Sequence, residues 1–381
     1  MRTRLIWTIG LASCLIGAPA WAQTAQKSIV LAQAQARKTT PTAASEGELD
    51  SAARVNNWTI GLAGGLLEGT FIRFAAELAK VLDDSDKLRV LPLVTYGAAE
   101  NINDLLYLKG VDIAITDADV FEEYKASNKY ANIDKRINYI SEMYVAEFHV
   151  YARAEIKSMK DLEGKKVGFN TKGSAANITG KIAFQRLGVN VEPVFINNSI
   201  ALEKMKTGEL AALVHAVGKP NDLFKKETGQ DGFHFLSVDY GEKFADYYVP
   251  SVLDNKDYPS LIKPGETIDT IGVPVVLAVY NWPQGSDRFR RVERFIQYYF
   301  QRFETLRKPP FHPKWQEINL AAKVPGWSRY WVAENMLSTT AAIPSGGGFT
   351  AAETSGPAGG VSPEEQKLYK EFMDWKKKQA R

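Results

Sequence analysis

The sequence predicts an α/β protein of two lobes, each a mainly parallel sheet flanked by helices, with a ligand cleft between them. Three observations predict it. Short apolar runs alternate with amphipathic helices between residues 56 and 337; a stretch of extended character interrupts the alternation once, after which it restarts; and five of the apolar runs end in small, polar, glycine-bearing turns. Strict strand–helix alternation implies parallel strands covered by helices on both faces.

The elements follow in order. "WTIGLAG" (58–64) reads as a strand running into glycines. "TFIRFAAELAKVLDD" then sets Phe71, Phe74, Ala75, Leu78 and Leu82 on one helical face. "LRVLPLVT" (88–95) is the next strand, "AENINDLLYLKG" (99–110) a helix, and "VDIAITDAD" (111–119) a third strand. "INYISEMYVAEFHVYARAE" (137–155) carries two apolar runs with little helical periodicity, as expected of strands crossing between lobes. "KKVGFNT" restarts the pattern, with a helix over 175–187, strand "VEPVFIN" (191–197), a helix over 200–208 and strand "LAALVHA" (210–216). The expected organisation is lobe I from 56–146 and 247–337, and lobe II from 147–246. Trp327 and Trp331 are four apart, a spacing that predicts a helix packed on the body.

The two ends differ from this body. Residues 1–22 carry Arg2 and Arg4, an apolar stretch and Ala20-Trp21-Ala22, the pattern of a cleaved export signal, and the periplasm is the expected location. Leu11-Ala12-Ser13-Cys14 offers lipid anchoring at Cys14 as a lesser alternative. Cys14 is the only cysteine, so an exported chain cut after Ala22 folds without disulfides. Residues 23–55 lack apolar periodicity and read as a disordered leader. Residues 338–361 read as a flexible linker. Over 362–381, Ser362-Pro363-Glu364-Glu365 opens an amphipathic helix bearing Leu368, Phe372 and Trp375 on one face.

Charge excludes one class of partner. Of 47 basic residues, 45 remain once Arg2 and Arg4 are removed, against 44 acidic residues. A balance near zero gives no footprint for nucleic acid.

The five turns are 63–70, 95–101, 116–119, 170–174 and 215–220. Ligands of open α/β sheets sit beyond the carboxyl ends of the strands, so five such turns around one cleft would form a binding site. The turn in "VGFNTKGSAANITGKIAFQRLG" (167–188) leads into a helix whose N-terminus favours an anion, and a solute carboxylate is expected near Ser174. Ser174 and Asn177 also suit helix capping. The turn lacks the phosphate-binding glycine patterns of nucleotide sites.

Across residues 57 to about 335 the chain resembles solute receptors of the TAXI family of TRAP transporters, which have the type II periplasmic-binding-protein fold. The resemblance is carried by "IGLAGGLLEGTFIRFAAELAKVL", "ENINDLLYLKGVDIAITDADV", "IKSMKDLEGKKVGFNTKGS", "VHAVGKP" and "ETIDTIGVPVVLAVYN", in that order. It implies capture of a small organic acid or amino acid by lobe closure and its delivery to membrane permease subunits. The expected ligand contacts are Gly65, Thr70, Phe71, Tyr96, Asn101, Asp117, Asn170, Thr171, Ser174 and Lys219. Tyr96 or Phe71 would stack on the solute. Leu66, Leu67 and Glu68 stand where the family carries more glycine and aromatic residues, and Glu68 would repel a carboxylate if it faced the cleft.

No cofactor or metal is expected, and the receptor is expected to be a monomer. Two other classes stay open: a sensor or adaptor that retains the fold, and an exported enzyme. Against the enzyme, the four histidines His149, His215, His234 and His312 show no i, i+4 pair, and neither H-E-x-x-H nor G-x-S-x-G is present.

Overall fold

A computed structural model describes residues 45–341, apart from Asp86. The signal, Cys14, most of the leader, nearly all of the linker and the terminal helix lie outside the described residues. A compact unit ends at Leu337, within the last described helix.

The chain begins with α1 (Glu46–Asn57), β1 (Thr59–Ala63), α2 (Thr70–Leu82), β2 (Arg89–Leu93), α3 (Ala98–Tyr107) and β3 (Ile113–Asp117). It continues with α4 (Ala118–Ala126), the short α5 (Ile133–Arg136), β4 (Ile137–Ala152), β5 (Lys166–Gly168), α6 (Ala175–Leu187), β6 (Glu192–Val194) and α7 (Asn198–Lys206). Then follow β7 (Ala212–Val217), the short α8 (Asp222–Lys225), β8 (His234–Phe235), β9 (Val249–Asp254), β10 (Thr267–Tyr280), α9 (Asp287–Leu306) and α10 (Trp331–Ala341).

Strands β2-β1-β3-β10-β4-β7-β5-β6 are hydrogen-bonded in that order. Strand β1 pairs parallel with β2 and β3, and β5 pairs parallel with β6 and β7, giving one parallel unit per lobe. The long strands β4 and β10 run antiparallel to their neighbours and join the two units. The protein is therefore a two-lobed α/β fold whose lobes share two crossing strands.

The sequence over 137–155 gives one 16-residue strand, with every position buried or half-buried. Strand β4 leaves lobe I at Glu147, which pairs both with Gly272 of β10 and with Val217 of β7. The return passage differs from the expected boundary at 246/247. Strand β9 pairs with Thr267–Gly272, and only from Val275 onward does β10 pair with β3. Residues 247–271 therefore pack with lobe II, because β9 needs the first half of β10 as its partner.

Local signals explain the helices. Helix α2 buries Phe71, Phe74, Ala75, Leu78 and Leu82, the face that the spacing predicts. Helix α9 buries Phe289, Val292, Phe295, Ile296, Tyr299, Phe303 and Leu306 at helical intervals and closes lobe I. Helix α1 falls in what the sequence predicts to be leader. A capping box between Ser45 and Glu48 starts it, and none of its residues is buried, which is why apolar periodicity gave no sign of it. Trp327 lies in a turn ahead of α10 rather than on it, with its ring stacked on Phe121 at 3.9 Å.

One hydrophobic core runs through both lobes. A second, aromatic cluster, including Tyr151, Phe224, Phe233, Phe235 and Tyr258, covers the outer side of lobe II. Among the described residues no helix is long and apolar enough to cross a membrane.

Candidate functional site

Four of the five turns after the strands come together around a small cavity of about 40 Å³. Lobe I supplies Gly65, Leu66, Gly69, Thr70 and Phe71 from its first turn and Tyr96 and Gly97 from its second. Lobe II supplies Asn170, Ser174, Ala175 and Ala176 from its first turn and His215, Ala216 and Val217 from its second, with Tyr144 of β4 between them. In this closed state the space is that of about three waters, so a solute enters only as the lobes part. The turn at 116–119 does not line the cavity.

The lobes are closed on each other. Gly173 O accepts from Ala99 N at 3.0 Å and from Glu100 N at 3.4 Å, so a lobe II carbonyl caps the N-terminus of α3. Thr70 Oγ1 donates to Gly218 O at 3.4 Å. Two glycines permit this approach. Gly97 has φ +118°, and a Cβ there would stand 3.3 Å from Ser174 Cα; a Cβ on Gly218 would stand 3.0 Å from the Tyr144 ring.

Glu68, a possible source of repulsion in the sequence reading, is turned to lobe II. Its Oε1 accepts from Asn197 Nδ2 at 2.5 Å and its Oε2 from Ser199 Oγ at 3.2 Å, while its carbonyl accepts from Asn221 Nδ2 at 3.2 Å. On the other side of the cleft, Asp119 Oδ2 accepts from Thr179 Oγ1 at 2.7 Å and from Tyr248 Oη at 3.0 Å.

The chemistry of the cavity resides in polar atoms without partners. Asn170 Nδ2, Tyr144 Oη and both ring nitrogens of His215 are buried and have no hydrogen-bond partner. Buried polar groups are normally paired, so a cluster of unpaired ones facing one cavity marks a place for a ligand. Asn170 sits at φ +54°, and its Oδ1 accepts from Thr171 N at 2.8 Å, which fixes the amide with its NH2 free. Burial lowers His215 to about 4, so its imidazole is neutral near pH 7 and offers one donor and one acceptor. Burial, then the neighbouring Asp117 charge, raises Tyr144 well above the usual phenol range, so it keeps its proton.

Helix α6 adds its N-terminus. Ser174 Oγ accepts from Asn177 N at 3.3 Å and donates to Thr171 O at 2.7 Å, so Ser174 is the cap and its hydroxyl is occupied. Ala175 and Ala176, in the first turn, line the cavity with amides that the helix itself leaves without acceptors. No charged side chain lines the cavity. A solute carboxylate would meet a helix N-terminus and neutral donors.

Of the expected contacts, Gly65, Thr70, Phe71, Tyr96, Asn170 and Ser174 stand around the cavity, and Asn101, Asp117, Thr171 and Lys219 do not. Asn101 is wholly buried inside lobe I. Its Nδ2 donates to Gly64 O at 2.5 Å and to Ile115 O at 2.7 Å, and its Oδ1 accepts from Thr95 Oγ1 at 2.6 Å. It ties the three turns of lobe I together. Lys219 sends its ammonium away from the cavity to Asp257 and Val252 O, both at 2.8 Å. Thr171 Oγ1 and both Asp117 oxygens are buried and unpartnered behind the wall. Tyr144 and His215 were missed as contacts. Both lie on strands buried on both faces, where alternation gives no direction for a side chain.

The crossing point carries a buried ion pair. Lys314 Nζ lies 2.6 Å from Glu147 Oε1 and 2.8 Å from Glu317 Oε2, while Glu147 Oε2 accepts from Lys219 N at 2.9 Å. Burial pushes Glu147 up to about 7. Burial also works against the Lys314 charge, but its two carboxylate partners raise it overall.

A two-lobed α/β protein with a closed, dipole-lined cleft is the class that fold and site define. Residues 63–286, more than half of the chain, match the NMT1-like family, and the chain belongs to that family. The TAXI assignment drawn from the five segments is narrower than this match. Among curated proteins, nothing matches. Among solved structures, the chain is similar to the periplasmic binding protein BugD, with 13% identity over 74% of this chain and 93% of that one, at a TM-score of 0.46. It is also similar to an ancestral arginine-binding protein bound to arginine, with 19% identity over 68% and 97% and a TM-score of 0.39. The substrate binding protein of an amino acid ABC transporter gives 15% over 65% and 97%, also at 0.39. At these values the fold assignment rests on the strand order given above.

Proposed function

We propose that the protein is an exported solute receptor that encloses a small organic acid or amino acid between its lobes and releases it unchanged. The observation that carries this reading is the convergence of Asn170, Tyr144 and His215, each buried with unpartnered polar atoms, on one cavity that both lobes close. A solute carboxylate sits at the N-terminus of α6 and takes hydrogen bonds from these side chains, while Leu66, Phe71 and Tyr96 cover its apolar part. Lobe closure orders the chain and is offset by the new contacts. The receptor works as a monomer in the periplasm, needs no cofactor and hands the solute to TRAP permease subunits, in line with the TAXI resemblance.

A thermal-shift screen against organic acids and amino acids tests this, with nuclear magnetic resonance of the recovered solute. The expected result is stabilisation by at least one carboxylate-bearing solute that is recovered intact. Turnover of the stabilising solute, or stabilisation by none of them, contradicts the reading.

A further inference from the structure

We propose that Asp117 and Asp119 form a proton-dependent lock on the closed state: closing the cleft draws a proton into this pair, so acid favours the closed form and alkali the open one. Both residues are wholly buried where the end of β3 meets lobe II. Asp119 Oδ2 holds Thr179 of α6 and Tyr248 of lobe II, so this carboxyl is itself a bond between the lobes. Its Oδ1 and both oxygens of Asp117 have no hydrogen-bond partner. Two neighbouring carboxylates with three bare oxygens cannot both stay ionised away from water, and one proton between them resolves the conflict. When the lobes part, Thr179 and Tyr248 leave, water reaches the pair, and both carboxyls return towards ordinary acidity.

The surroundings agree. From α6, Arg186 is the nearby cation, and it is engaged with both Asp246 oxygens at 2.7 and 2.8 Å, with Tyr247 Oη at 2.8 Å and with Lys243 O at 2.6 Å. From β4, Tyr144 faces Asp117 as a neutral phenol, and beyond it Glu147 is paired with Lys314. Burial raises Asp119 to about 6 even against the Thr179 and Tyr248 hydrogen bonds and the Arg186 charge. Burial and then the Asp119 charge raise Asp117 well above the carboxylate range. For a group whose acidity falls on closing, the closed state binds more protons, so closure weakens as pH rises. Glu68 is the contrast, since its carboxylate latches the lobes with both oxygens partnered and has no need of a proton.

The test reads closure directly and uses no solute, so its outcome is separate from that of the solute reading above. In the full chain carrying Cys14→Ser, fluorophores are placed at Lys109→Cys on lobe I and Lys206→Cys on lobe II, both exposed. Energy transfer is followed between pH 5 and 8. The expected result is a closed-to-open ratio that falls by up to about tenfold per pH unit, the limit for one linked proton. Asp117→Asn/Asp119→Asn flattens the profile. Should the double variant fail to fold, Asp119→Asn, whose amide oxygen still accepts from Thr179 and Tyr248, leaves Asp117 alone to take the proton and moves the midpoint of the profile to lower pH, whereas Glu68→Gln leaves the profile in place. A flat profile in the parent protein, an unchanged slope in the folded double variant, or an unmoved midpoint in Asp119→Asn overturns the proposal.

Discussion

The two lobes are built on the same strand–helix plan, yet they present different walls to the cleft. In lobe I the side chains of Thr95, Glu100 and Asn101 in the second turn are paired within the lobe, and Glu68 and Thr70 of the first turn are paired across to lobe II. Asn101 binds the first and third turns, Thr95 Oγ1 donates to Asn101 while accepting from Gly97 N, and Tyr96 N donates to Glu100. Apart from the Tyr144 hydroxyl on β4, what lobe I offers the cavity is mainly apolar: Leu66, Phe71 and the Tyr96 ring. In lobe II, Asn170 and His215 keep polar atoms free, and α6 points its N-terminus at the same space. The difference assigns roles. Lobe II holds the polar end of a solute, and lobe I closes over it.

The comparison can be broken at three points. The largest effect concerns what fixes the walls relative to each other. Glu147→Ala leaves the Lys314 ammonium at the crossing point with only Glu317, which is half exposed. Breaking a buried ion pair costs about 3–5 kcal/mol. Urea unfolding of this variant should show a loss of that order, and a loss near that of a surface substitution would remove the structural role given to the pair.

The second effect sharpens the contrast between the walls. Asn170→Ala and His215→Ala each remove a donor aimed at the solute. A hydrogen bond to a charged group is worth about 1.5–3 kcal/mol, so each variant should weaken solute binding by about ten- to a hundredfold in calorimetry. His215 stays neutral above about 4, and its folded value lies below its unfolded one. Its contribution to binding is therefore the same at pH 5 and pH 8, and a contribution that grew on acidification would show that it binds as imidazolium.

The smallest effect comes from lobe I. Tyr96 is 56% exposed, so Tyr96→Ala should change affinity by about threefold or less, as surface substitutions do. A loss as large as that of Asn170→Ala would reverse the roles of the two walls.

Much of the fold was legible because its helices are one-sided. The periodicity of α2 and the Ser174 cap and following run of α6 mark those elements closely, and strict alternation implies the parallel units. Other parts lacked a signal. Helix α1 is polar all round, with only its capping box to announce it. The return passage at Gly272–Val275 lies inside an apolar strand, where nothing local distinguishes the half that pairs with β9 from the half that pairs with β3. The site was half legible for a related reason. Residue type marked Asn170 and Ser174 as donors in a turn before a helix, and by the same criterion it marked Asn101 and Lys219. Direction separates them: Asn101 turns into its own lobe and Lys219 turns to Asp257. Tyr144 and His215 were hidden on strands buried from both sides.

The central claim is that a solute rests in the cleft with its polar end against lobe II. A crystal structure with the most stabilising solute from the screen tests it most directly. The account expects a carboxylate within hydrogen-bonding distance of Asn170 Nδ2, His215 and the first amides of α6. A solute bound outside the cleft, or one oriented with its carboxylate towards Leu66 and Phe71, would contradict it.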